Sequence, residues 1–447
     1  MKELILNQRK DFTLIHPQSV KTRMTHLKNL KAAIQFYEHD VFNGLYSDLR
    51  KSKAEAFMTE IALVYEEINF AIKHLASWAK PKKVKTTLAQ FPARARLYYE
   101  PYGQVLIMSP WNYPFMLTLV PLVGAIAAGN VVIVKPSAYA PNIAQVMKKI
   151  VEKAFPKKEV ILFLGGRSVN EEILTYKFDY IFFTGSINVG KTVMHKASDD
   201  LTPLTLELGG KSPCIIYGKA DLDLAARRIS WGKLINMGQT CVAPDYLIVE
   251  RKNEAIIDKI NAKFNLTKDQ MLHLPKIINE KHYTRLKEYL IELGLDRFDD
   301  EEQIIYPTLV KMPALDTKIM TEEIFGPILP VIIVDSLVEV ELFINSRPKP
   351  LAMYVYSDDK DVVHHLLTRT SSGSYTVNDN LMQLASSYLP FGGVGDSGLG
   401  SYHGKQSFLT FSHQKSVLFK SKAFDLKFRY QKDEKAYKMA KKILNTK

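Results

Sequence analysis

Cysteine is scarce: Cys214 and Cys241 are the only two in 447 residues. Two thiols cannot build a disulfide framework or, by themselves, a four-ligand zinc site, so no metal is expected. Long apolar runs are missing as well. The longest stretch, Val120 to Val134, is interrupted by Pro121, Gly124, Gly129 and Asn130 and falls short of the roughly 20 residues a spanning helix needs. The first residues, Met1 to His16, mix Lys, Glu, Asn, Gln, Arg and Asp among the apolar ones. No continuous apolar segment of a secretory leader results, and a cytoplasmic protein is expected. Low-complexity tracts and internal repeats are also lacking, which excludes collagen-like chains and solenoids.

Acidic residues are the minority, 47 against 60 Lys and Arg, for a net charge of +13. Such an excess raises nucleic acid or an anionic membrane as a partner. Much of it is local: Lys415 to Lys447 holds eleven Lys/Arg and three acidic residues, with Phe424, Phe428, Tyr430 and Tyr437 interleaved. This reads as a solvated basic tail, with contact to anionic lipid headgroups as the alternative. No zinc-knuckle or RNA-binding aromatic signature accompanies it, so no nucleic acid is expected.

What is present is a globular composition, 46% hydrophobic and 24% charged, in a chain long enough for two or three domains around a cleft. Apolar positions recur three or four apart from Lys21 to Ala79, a helical pattern that Pro81 stops. Val84 to Tyr99, with Pro92 inside it, suits an exposed hairpin or strand arm. After Gly103 the rhythm becomes βαβ. Val105 to Met108, Val131 to Val134, Val160 to Leu164 and Tyr180 to Phe183 read as strands, with amphipathic helices at Pro141 to Phe155 and Gly190 to Ser198. That pattern predicts a doubly wound parallel sheet with ligands beyond the carboxyl ends of its strands. A second α/β set runs from Ser212–Ile216 past Tyr354–Tyr356.

Gly185 to Thr192 reads GSINVGKT, which satisfies the phosphate-loop pattern after an apolar strand. An NTP or a dinucleotide pyrophosphate would fit such a turn. An NTPase also needs a metal-binding acid at a strand end, and the candidates are poor: Asp335, after Val331–Val334, has no further catalytic set around it. Cys241 lies in NMGQTCVAP, on a loop between a helical run and the strand Tyr246 to Val249. A nucleophilic thiol needs backbone donors and a positive or helix-end environment. Cys214, inside an apolar run, reads as an inert core thiol. Glu207 stands among leucines just before Gly209–Gly210, a setting that should raise its pKa and suit it to base chemistry.

These two segments, with FTGS at Phe183–Ser186, PWN at Pro110–Asn112 and EEIFGP at Glu322–Pro327, resemble the aldehyde dehydrogenase superfamily over residues 20–420 or so. GQTCVAPDY at Gly238–Tyr246 and LPFGGVGDSGLGSYHGKQSF at Leu389–Phe408 are closest to its class 3 type, which handles fatty and aromatic aldehydes. The resemblance implies an α/β fold: a Rossmann-like cofactor domain (residues 1–81 and 101–206), an α/β catalytic domain (207–398) and a β-hairpin oligomerisation arm (82–100 and about 411–422), before the basic tail (423–447). It implies Cys241 as nucleophile, the Asn112 amide and the Cys241 N–H as oxyanion donors, and Glu207 as the base that activates water. CoA-acylating relatives generally lack that Glu, so a free acid is expected as product. For the cofactor it implies Lys135 and Ser137 at the adenosine ribose, Gly185, Ser186, Gly190 and Leu208 around the pyrophosphate turn, and Glu323 with Phe325 at the nicotinamide ribose. Relatives that prefer NAD carry an acid three residues after the Lys, where this chain has Ala138. Use of both NAD and NADP is therefore expected, in a homodimer, with Asn378–Asn380, Leu381 and Met382 near the aldehyde.

Overall fold

Runs of branched apolar residues form strands where both faces are covered, and this chain builds two such sheets. The computed structural model describes residues 1–444. The first sheet has the order Gly398–Leu399, Leu204–Leu208, Tyr180–Gly185, Gln104–Met108, Val131–Lys135, Val160–Leu162. Its five longer-range pairings are parallel except at the edge, where Gly398–Leu399 runs antiparallel to Leu204–Leu208. The second sheet is wholly parallel: Thr308–Lys311, Ile328–Val334, Tyr246–Glu250, Pro213–Ile216, Ala352–Tyr356, Ser374–Val377.

The apolar stretch from Val120 to Val134 is core. It comprises the end of helix Met116–Ala128, a left-handed Gly129 (φ 96°) that caps it, and the interior strand Val131–Lys135, all buried. No helix among the described residues is long and apolar enough to cross a membrane. The helical pattern before Pro81 is broken in three places, first by a turn at Tyr37 between Val20–Phe36 and Glu38–Leu49. Arg50 takes a left-handed conformation after Glu38–Leu49, and Phe57–Ile61 forms a π-helical turn before Ala62–Trp78. Helix Lys2–Ile15 was not legible from periodicity; it is held by Gln104 Nε2 donating to Ile5 O at 2.9 Å.

A third, antiparallel sheet joins Lys82–Val84 to Ala93–Pro101, which pairs along nine residues with Ser412–Lys420. Two features of the first sheet fall at the boundaries drawn from sequence. Glu207 and Leu208 end a strand of the first sheet, because Thr184↔Glu207 and Gly185↔Leu208 continue its ladder, so a cut at residue 207 severs that strand. Gly398–Leu399 returns to the same sheet. The C-terminal segment is also more than a solvated tail: Glu434–Leu444 is a helix, with Ala436 buried and Lys435, Lys438, Lys441 and Lys442 exposed. Its apolar residues recur at helical spacing, which gives that helix a face to bury. Residues 445–447 lie outside the described residues.

Candidate active site

The carboxyl ends of the first sheet face loops that precede strands of the second, and a cavity of about 460 Å³ lies between them. Of the residues singled out in the sequence, Asn112, Gly185, Ser186, Glu207, Leu208, Cys241, Glu323 and Phe325 all line it. Lys135, Ser137 and Gly190 do not. Lys135 ends the neighbouring strand, Ser137 folds its hydroxyl under Tyr139 N in the following turn, and Gly190 sits inside helix Ile187–Asp199. A Cβ at Gly190 would stand 2.6 Å from Leu208 Cδ2, so this glycine lets the helix approach the strand.

Cys241 is presented by an unusual turn. Helix Leu222–Leu234 ends at Asn236, Met237 and Gly238, all with positive φ, and the chain then climbs to the half-buried thiol. Left-handed residues in succession are strained, and contacts hold these in place: Asn236 Nδ2 donates to Asn112 O at 2.8 Å, and Gln239 Nε2 donates to Lys276 O at 3.0 Å. Burial raises the Cys241 pKa, helped by the Glu323 and Glu207 carboxylates; its own N–H and that of Val242 act in the opposite direction. Cys214 is fully buried in strand Pro213–Ile216.

Asn112 donates Nδ2 to Gln239 O at 3.0 Å, which leaves its second amide hydrogen for an oxygen in the cavity. Glu207 is buried with neither carboxylate oxygen hydrogen-bonded, and burial alone lifts its pKa well above the usual carboxylate range. This agrees with the leucine-rich setting read from the sequence. Glu323 is pushed up to about 8, first by burial and then by Asp245, against the Gly210 N–H and the Lys211 and Arg285 charges. A Cβ at Gly209 would stand 2.1 Å from Glu323 Oε2, so only glycine leaves that carboxylate room.

Several cavity residues escaped sequence reasoning. Helix Glu280–Glu292 contributes Lys281, His282, Arg285 and Tyr289, one face at i, i+4, i+8 spacing that reads in sequence as a solvated basic stripe. Arg285 donates to Tyr289 OH at 3.0 Å while its Nη2 is buried without a partner. His282 packs on Trp111 with ring centroids 4.9 Å apart, and burial lowers its pKa to about 4, assisted by Arg285 and Lys281. Phe391 and Tyr402 close the apolar side of the cavity and are joined by a single β-bridge. Asn378, Asp379, Asn380, Leu381 and Met382 do not line it. Asn380 is buried against Arg228 O and Tyr356 OH, each at 2.9 Å, and Asn378 donates to Ser357 O, because these amides tie a loop to the second sheet. Asp335, the acid an NTPase would require, instead makes a two-pronged surface pair with Arg251 at 2.5 and 2.8 Å.

The donor set fits a dinucleotide. The Lys135 amine is buried with Pro136 O as its hydrogen-bond acceptor at 2.7 Å and no carboxylate, and burial lowers its pKa to about 8. A bound anion or ribose hydroxyl would satisfy it. The N-terminal N–H groups of helix Ile187–Asp199 open next to Ser186, whose hydroxyl caps none of them. Glu323 Oε1 is an unpartnered buried acceptor on the opposite wall.

Comparison with known proteins is consistent with this geometry. A profile of the aldehyde dehydrogenase family matches residues 2–417. The 4,4'-diaponeurosporen-aldehyde dehydrogenase of Staphylococcus aureus is 44% identical over 420 residues, covering 92% of each chain. The rat dimeric NADP-preferring aldehyde dehydrogenase is 39% identical over 429 residues, 94% of this chain and 95% of the other. The solved substrate-bound Staphylococcus aureus AldH superposes with a TM-score of 0.96 at 40% identity, covering 99% of both chains.

Proposed function

This chain belongs to the aldehyde dehydrogenase family, an NAD(P)-dependent oxidation of aldehydes to acids, and from that premise we propose that Cys241, Asn112 and Glu207 carry the reaction. The observation that carries the proposal is their convergence on one cavity, a half-buried thiol, an amide with a free N–H, and a buried carboxylate that nothing else engages. The Cys241 thiolate forms a C–S bond to the aldehyde carbon, and the carbonyl electron pair moves onto oxygen. The Asn112 amide and the Cys241 N–H receive that oxyanion, an arrangement typically worth about 3–4 kcal/mol. When bound, the nicotinamide supplies the redox chemistry by accepting two electrons with the aldehyde hydrogen, which leaves a thioester on Cys241. Glu207 takes a proton from water as its oxygen attacks the acyl carbon; the C–S bond breaks, and the acid leaves a free thiol.

Lys135, Ser137, the Gly185–Ser186 turn, Gly190 and Leu208 would hold or shape the adenosine and diphosphate end, with Glu323 and Phe325 at the nicotinamide ribose. In this reading the first sheet belongs to the cofactor-binding domain and the second to the catalytic domain. Exposed Ala138 offers no carboxylate to repel a 2′-phosphate, so both NAD and NADP are used. Trp111, Leu117, Phe325, Phe391 and Tyr402 in the cavity wall favour a medium- or long-chain or aromatic aldehyde. The arm sheet, whose strand Ser412–Lys420 is paired along one edge only, supports a homodimer. The lysine-bearing helix Glu434–Leu444, with Tyr437 and Met439 exposed, supports peripheral contact with an anionic membrane.

The test is absorbance of the reduced cofactor with an aldehyde panel and both dinucleotides. Wild type forms acid, Cys241→Ala does not, and an acyl phosphate or CoA thioester as product would overturn the Glu207 role. Chains ending at Lys420 keep turnover and lose binding to anionic vesicles; unchanged binding would remove the membrane contact.

A further inference from the structure

The cavity explains what Asn112 does, and a separate buried cluster explains why it stands where it does. Lys51 and Glu60 are among the most buried polar residues, at 1% and 0% exposure, with Lys51 Nζ 2.6 Å from Glu60 Oε1. Neither touches the cavity. Lys51 Nζ also donates to Asn112 O at 3.0 Å and lies 3.9 Å from the centre of the Tyr113 ring. Glu60 Oε2 accepts Phe115 N at 2.8 Å and Met116 N at 3.2 Å, the orphan donors at the start of helix Met116–Ala128. Tyr113 OH then meets Thr240 Oγ1 at 2.7 Å, one residue before the nucleophile.

The same helical segment reaches the cysteine loop directly. Glu55 Oε1 accepts Asn236 N at 2.7 Å, and Asn236 Nδ2 bridges back to Asn112 O. Glu60 sits on the π-helical turn Phe57–Ile61, whose extra residue per turn changes which side chains face inward. A buried ion pair is poor as a pure stability device, since a packed apolar pair is often equally stable. Charge-assisted bonds do define direction and distance. Here they fasten residues 112, 115, 116 and 236 to the short stretch from Lys51 to Glu60.

We infer that Lys51, Glu60 and Glu55 are positioning residues that set the Asn112 amide against the Cys241 backbone, and so fix the spacing of the two oxyanion donors. The inference rests on Asn112 being such a donor. The experiment compares wild type, Lys51→Met/Glu60→Leu, Asn112→Ala and the triple variant. Removing one oxyanion donor costs about 10²–10³ in kcat, so misplacing it by loss of the pair is expected to cost ~10–100-fold. Cofactor Kd is expected to stay within twofold. Alkylation of Cys241 by iodoacetamide, a displacement at saturated carbon that forms no oxyanion, is expected to be unchanged. In the Asn112→Ala background the pair substitution should cost nothing further. Glu55→Ala should lose kcat in the same pattern and Glu55→Gln, which keeps an acceptor, should recover it; this arm decides if the pair variant does not fold. Retained kcat, an equal loss with and without Asn112, or a parallel loss of alkylation would overturn the inference. A silent Asn112→Ala would instead remove the reading beneath it.

Discussion

Glu67 accepts the N–H of Gly404 at 2.8 Å, fastening helix Ala62–Trp78 to the loop that brings Tyr402 into the cavity wall. Gly404 has φ 52° and a Cβ there would stand 1.9 Å from Ser387 O, so this join admits glycine alone. Burial raises Glu67 to about 7, opposed by the Gly404 N–H and the Ser387 and Ser407 hydroxyls. An acid raised in the folded state is stabilising below its unfolded pKa and loses that contribution as pH rises through the folded one. Stability should therefore fall between about pH 4.5 and 7 by an amount on the order of 3 kcal/mol. Urea unfolding at pH 5 and pH 8 should show this difference shrinking in Glu67→Gln, and an equal difference in both proteins would contradict it.

Substituting Glu207→Gln removes the proposed base and keeps the shape. The first turnover should persist while steady-state turnover falls by about 10²–10⁴, with an acyl adduct on Cys241 visible by intact mass. Because only the carboxylate accepts a proton and burial holds the Glu207 pKa high, deacylation in wild type should keep climbing with pH above the usual carboxylate range rather than level off near pH 5.

Arg285 lines the cavity with its Nη2 buried and unpartnered, a donor that an anion of the cofactor would satisfy. Losing one charge-assisted bond should raise the cofactor KM by about 10–100-fold in Arg285→Ala, with kcat changed little. Steady-state kinetics with the dinucleotide varied would check the split, and a fall in kcat alone would assign Arg285 elsewhere.

Ala138 is solvent-exposed beside the buried Lys135, so a larger side chain has room. Ala138→Glu should weaken NADP by roughly tenfold or more through like-charge repulsion and leave NAD within a few-fold. Equal loss for both cofactors would mean that the ribose lies elsewhere.

Much of this was legible before the structure. Branched apolar runs announced the strands, because a doubly covered strand must be apolar on both faces; Cys241 was marked by its loop, Glu207 by its place among leucines before two glycines, and Asn112 by the resemblance of its PWN segment to the family motif. Helix Lys2–Ile15 and the π-turn at Phe57–Ile61 were not legible. Their signals lie in a few long-range hydrogen bonds, such as Gln104 to Ile5 O, and not in periodicity.

The sequence by itself determined the chemistry on offer: one thiol on a loop, one carboxylate among leucines, and a glycine turn at a helix start. Tertiary structure alone decided the distances. Glu207 belongs to the first sheet and Cys241 to a loop before a strand of the second, 34 residues further on, and sequence spacing carries no information about how two sheets face each other. The same holds for Lys51, Glu60 and Asn112, which meet only because burial makes each polar group find the partner that water no longer supplies.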